Sequence, residues 1–139
     1  KHGKLLYDMI KEESNGRTVF FVHGGTTADT REQIRHIVES ERNSVIVASY
    51  GVFSVGVNIR NLHNIIFASP SKSRIRNLQS IGRGLRKSEN KSMATLYDIA
   101  DDLSYGSGSN YTLDHFEERK KIYKEEKFEM AEYFVQLKT

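Results

Sequence analysis

The chain has 139 residues, 28% of them charged and 37% hydrophobic, with a net charge of +3, the make-up of one globular domain rather than of a disordered or membrane chain. No cysteine is present and the five histidines lack clustered carboxylates, so disulfides and thiolate metal sites are excluded, no metal site is expected, and a reducing, cytoplasmic setting fits. Apolar runs are short, far below a membrane span, no signal-peptide pattern opens the chain, and a first residue of Lys1 suggests a piece of a longer protein.

In chain order, helix and strand signals alternate. Leu5, Leu6, Met9 and Ile10 recur at helical spacing over 4–14, stopped by Asn15-Gly16. The apolar run 18–22 reads as a buried strand broken by His23-Gly24-Gly25. Thr27 or Asp29 can cap a helix with Ile34, Ile37 and Val38 as its buried stripe, ending at Asn43. Buried strands follow at 45–48 and 65–68, a glycine-containing turn region lies between them at 49–58, and Ser69-Pro70 closes the second strand. Ile75, Leu78, Ile81 or Gly82, and Leu85 define a helix over 73–86, and 95–100 completes the strand series. Strands apolar on both faces, alternating with helices, indicate an open, mainly parallel α/β sheet with helices on both faces.

The expected division is a domain over 1–103, a Gly/Ser-rich flexible loop over 104–112 and a charged amphipathic helix over 113–139. The apolar stripe of that long helix is Leu113, Phe116, Tyr123, Met130, Phe134 and Leu137, interrupted by Lys120 and Lys127. Such a stripe ordinarily packs on its own domain.

Charge is unevenly spread. Segment 60–91 sets eight basic side chains against Glu89 alone, whereas 1–59 is neutral and 92–139 is acidic. A polyanion is therefore expected at the middle third, although a basic run also suits a solvated helix face. Within it, Gln79-Ser80-Ile81-Gly82-Arg83-Gly84-Leu85-Arg86 sets two arginines one helical turn apart, so that both planar guanidinium forks can meet one phosphate.

In open α/β sheets the working residues gather in loops at the carboxyl ends of strands. Those loops here begin at His23, Ser49 and Ser69 and are rich in Gly, Ser and Thr, small residues that let backbone amides approach phosphate oxygens. Taken singly, Gly24, Gly25 and Gly56 are also what tight turns require, and Arg74 and Arg76 also suit solvent.

Gln79-x-x-Gly82-Arg83-x-x-Arg86 resembles the Q-x-x-G-R-x-x-R signature, motif VI, of superfamily 2 helicases. Ser49, seven residues before Gly56-Val57-Asn58-Ile59, resembles motif V in its Snf2-like form. His23-Gly24 with Arg31 in the following helix resembles the conserved element between motifs IV and V. The runs 48–54, 61–63 and 110–116 are similar to UvsW-type phage helicases.

The resemblance implies the second, C-terminal RecA-like domain of an ATP-dependent DNA helicase that acts on branched, recombination and fork intermediates, RNA–DNA hybrids included. ATP and Mg²⁺ would be held mainly by the first RecA-like domain. This chain has no G-x-x-x-x-G-K-[ST] loop and no Asp-Glu pair and is not expected to hydrolyse ATP alone. By resemblance Arg86 is the arginine finger and Arg83 a second γ-phosphate contact, while Gln79, Gly82, Gly56 and Asn58 line the ATP cleft. Ser49, His23, Gly24, Lys72 and Arg74 would touch the DNA backbone, independently of sequence. The competing reading is a non-catalytic α/β module that binds nucleic acid through 60–91 without ATP.

Overall fold

The computed structural model describes residues 1–53, 62–68, 94–103, 106, 108 and 110–138. The sequence-predicted helix over 73–86 and most of the turn region after Phe53 lie outside them.

Helix α1 (His2–Glu13) packs on the first strand pair. Gly3, Leu6, Tyr7 and Ile10 are half-buried, whereas Leu5 and Met9, two of the four apolar residues at helical spacing, are 61% and 57% exposed. The true stripe is rotated toward the positions that meet Phe21. The Tyr7 and Phe21 rings stack at 5.6 Å, and a Cβ at Gly3 would stand 3.2 Å from the Phe21 ring. After α1 the chain reverses through Asn15 (φ 50) and Gly16 (φ 83), and the Arg17 N–H donates to the Ser14 carbonyl. Two successive positive φ angles are what Asn-Gly permits.

Strands β1 (Val19–Val22) and β2 (Val45–Ala48) pair in parallel, from Val19 opposite Val45 to Val22 opposite Ala48. Alternation sends Phe20, Val22, Ile46 and Ala48 to one face. There they meet Ile34 and Val38 of helix α2 (Ala28–Ser40), together with Val52 and Leu62. Helices thus cover both faces of this pair. Thr27 caps α2, its hydroxyl accepting the Thr30 N–H at 3.2 Å, a contact typically worth about 1 kcal/mol. Ile37, expected in the stripe of α2, is 40% exposed; Ile34 and Val38, four apart, suffice to cover a four-residue strand pair. On the outer side Arg35 is gripped by Glu32 and Glu39, which raises its already high pKa and lowers that of Glu32.

A single helical turn, α3 (Tyr50–Phe53), follows β2. Val52 enters the cluster of Val22 and Ile34, while Tyr50 packs on a second cluster, its ring 5.7 Å from that of Phe67. That second cluster rests on β3 (Asn64–Phe67) and β4 (Thr95–Asp98), also parallel, with Asn64 opposite Thr95 and Phe67 opposite Asp98. Where one parallel sheet is expected, the described residues show two parallel pairs bridged by α3.

Helix α4 (Tyr111–Glu125) is capped by Asn110, whose side-chain oxygen accepts from Leu113 N–H and from the Thr112 hydroxyl. It packs on β3 and β4 through Tyr123, as expected for a stripe turned to its own domain. Its length is the correction. A helix reaching the end of the chain is predicted from the stripe, yet α4 stops at Glu125, and Met130, Phe134 and Leu137 are 44%, 89% and 84% exposed in non-helical chain. Lys127 turns left-handed (φ 57), its N–H donates to the Lys124 carbonyl, and the Phe128 N–H reaches back to the Tyr123 carbonyl. This is a Schellman motif with Lys where Gly is usual. The Phe128 ring closes it against Tyr123 at 6.3 Å.

Candidate nucleic-acid interface

The carboxyl ends of β1 and β2 lie side by side, because Val22 pairs with Ala48 and the Ser49 N–H donates to the Val22 carbonyl at 3.2 Å. His23, Gly24 and Ser49 are therefore brought together at one edge, and all three are exposed. The other residues singled out by sequence, Gly56, Asn58, Lys72, Arg74, Gln79, Gly82, Arg83 and Arg86, lie outside the described residues.

The loop after β1 is held by its own side chains. The His23 N–H donates to the Thr26 hydroxyl at 3.0 Å and the Thr26 N–H returns to the His23 carbonyl at 2.9 Å. The Gly25 N–H donates to His23 Nδ1 at 3.1 Å. An imidazole nitrogen that accepts carries no hydrogen, so in the neutral ring the hydrogen sits on Nε2 and is free to be donated. The Phe21 ring, 5.1 Å away, backs the imidazole. Half-buried Arg31 ties α2 to the same loop through Nε to the Thr26 carbonyl at 3.0 Å.

The two glycines differ. At Gly24 an added Cβ would meet nothing within 4 Å, whereas at Gly25 it would stand 3.0 Å from His23 Cε1. Gly25 is thus the glycine the loop geometry needs, and Gly24 leaves an open approach. The sequence singles out Gly24 by its place in a motif; the need for Gly25 arises from the ring two residues back and shows only in the fold.

A group of side chains that no sequence motif joins clusters at the end of β4. Asp98 receives Arg119 Nε at 2.7 Å, Arg119 Nη2 at 2.8 Å and the Tyr123 hydroxyl. Arg119 is 1% exposed. Burial, then the neighbouring Asp98, raises the pKa of the Tyr123 phenol well above its ordinary value. The partners lie 21 and 25 residues apart, and no local spacing joins them.

The family described as "Helicase conserved C-terminal domain" matches residues 2–88, well over half of the chain. The chain belongs to the helicase C-terminal domain family. This helicase domain is 39% identical over 137 residues to the ATP-dependent DNA helicase uvsW of Enterobacteria phage T4, covering 91% of the chain and 27% of that protein. It is 30% identical over 115 residues to the putative ATP-dependent helicase IRC3 of Saccharomyces cerevisiae, covering 81% of the chain and 16% of that protein. It is 28% identical over 96 residues to putative helicase 22 of a Sulfolobus islandicus filamentous virus, covering 69% and 17%. The chain therefore spans roughly a quarter or less of each relative's length. No solved structure gives a significant match. The helicase domain is RecA-like, an α/β fold with parallel strands and helices, and no helix among its described residues is long and apolar enough to cross a membrane.

Proposed function

We propose that this domain is the second motor domain of an ATP-dependent superfamily 2 DNA helicase or translocase. One observation of the fold supports its nucleic-acid side: His23, Gly24 and Ser49 share one strand edge, with the His23 Nε2–H and the Ser49 hydroxyl on exposed residues. Neutral donors of this kind position a phosphate backbone without reading bases. Lys72 and Arg74 would add charge to the same track.

Across the cleft, the first RecA-like domain would hold ATP and Mg²⁺, which supply the transferable phosphoryl group and neutralise its charge. Arg86 would act as the arginine finger and Arg83 as a second γ-phosphate contact, with Gln79, Gly82, Gly56 and Asn58 lining the cleft. Fixed cations are needed where negative charge develops. Because these arrive from a second domain, hydrolysis would be tied to closure of the two. The substrates expected are branched, recombination and fork DNA, and RNA–DNA hybrids. The motor domain proper would be 1–103.

The test joins this domain to its first RecA-like domain and compares Arg86→Ala with the parent. DNA-stimulated ATP hydrolysis should fall by about 10³–10⁵ while salt-sensitive DNA binding survives. Unchanged hydrolysis would sink the motor reading, and equal loss of DNA binding would favour a non-catalytic binding module.

A further inference from the structure

The connection from Phe67 to Thr95 carries the Gln79–Arg86 signature and joins the end of β3 to the start of β4. Both strands are locked in register, with Phe67 opposite Asp98 and the Ile99 N–H donating to the Phe67 carbonyl at 3.2 Å. At that same end Asp98 takes three hydrogen bonds from α4, two from Arg119 and one from Tyr123. The carboxylate beside the last residue before the connection is thus fixed by a helix about twenty residues downstream. Asp98 is only 8% exposed in its side chain and Arg119 1%, so water does not loosen the pair.

This arrangement is not what stability alone would select. A buried ion pair loses hydration on both sides, and apolar residues of similar volume are often at least as stable. Here the cost is raised further, because Arg119 Nη1 is buried with no hydrogen-bond partner among the described residues. What the planar fork and the phenol do supply is direction, since they hold Asp98 from fixed angles.

We propose that Asp98, Arg119 and Tyr123 form a brace that positions the β3–β4 pair for the motor's ATP chemistry. They are positioning residues, acting on catalysis through the strand pair and not by touching nucleotide. The inference rests on the motor reading above. It also assigns α4, which lies beyond the matched residues 2–88, to the working part of the domain.

Two variants of the protein joined to its first RecA-like domain test it. In Asp98→Leu/Arg119→Met/Tyr123→Phe the brace becomes apolar at similar volume. The expected result is an unchanged or higher melting temperature, an ATP KM within about twofold, and a DNA-stimulated kcat lower by about tenfold to a hundredfold, the scale of ångström-level misplacement. Tyr123→Phe alone removes one hydroxyl and keeps the ring, and should lower kcat about threefold at unchanged KM, a smaller displacement on the same scale. An unchanged kcat in a folded triple variant, or in Tyr123→Phe should the triple variant fail to fold, overturns the proposal. Arg86→Ala separates the two readings. If it leaves hydrolysis intact, the motor reading fails and the brace with it; if it abolishes hydrolysis while the brace variants keep the parent's kcat, the motor reading stands and the brace alone is removed.

Discussion

The Gly25 N–H points at His23 Nδ1 from 3.1 Å, and a side chain at position 25 would close the gap they share. Gly25→Ala should therefore turn the imidazole aside, while Gly24→Ala finds open space. DNA affinity separates structural from functional need. Gly24→Ala is expected to leave the melting temperature unchanged but to weaken DNA binding several-fold, since a methyl group stands where the backbone would approach. Gly25→Ala is expected to weaken binding too, through loss of the oriented Nε2–H. Long-range ¹H–¹⁵N spectra of the parent should show the Nε2–H tautomer, and loss of that preference in Gly25→Ala is the accompanying sign.

Lys127 occupies the left-handed position at the end of α4 (φ 57). A residue with a Cβ is strained there by about 1–2 kcal/mol, part of which glycine gives back through its freer unfolded chain. Lys127→Gly should raise stability by about 1 kcal/mol or slightly less, seen as a rise of a few degrees in the melting temperature. A fall would show that the Lys127 side chain makes a compensating contact.

Tyr123 sets an alkaline limit. Its phenol is held above the ordinary value of 10.0 in the folded state, by burial first and by Asp98 second. The folded chain thus keeps a proton that the unfolded chain releases, so this contribution is complete below about pH 10 and is lost as pH rises beyond it. Urea unfolding between pH 9 and 11 should show stability falling for the parent. Tyr123→Phe should fall less steeply, by up to one proton's worth of slope.

Charge and geometry at the proposed DNA track are separable by salt. Lys72→Ala should reduce the slope of log affinity against log salt by about 0.7 for single strands. Ser49→Ala removes a neutral donor, so it should lower affinity by about tenfold, the weight of a hydrogen bond to a charged group, without changing the slope. Parallel salt titrations of the two variants decide this.

Where periodicity met a strand pair, the sequence was a good guide: β1, β2, the Thr27 cap and the buried Ile34 and Val38 all lie where alternation and capping chemistry put them. The adjacency of His23 and Ser49 was likewise legible, since parallel strands bring their carboxyl ends to one edge. Two things were not. The end of α4 carries no Gly or Pro, and the apolar spacing runs on past it; the helix ends in a left-handed turn at Lys127 with Phe128 folded back on Tyr123, a closure that spacing does not announce. The Asp98–Arg119–Tyr123 group is non-local, its partners 21 and 25 residues apart, and no local spacing joins a strand-end carboxylate to a helix that far downstream.

In α3, Tyr50 and Val52 stand two residues apart yet belong to different apolar clusters, one resting on β3 and β4 and the other on β1 and β2. Loosening either cluster strips the turn of one of its two anchors, and the Ser49 N–H bond to Val22 goes with it. The two strand pairs should consequently melt in a single cooperative transition, coupled by a few residues at the exposed edge.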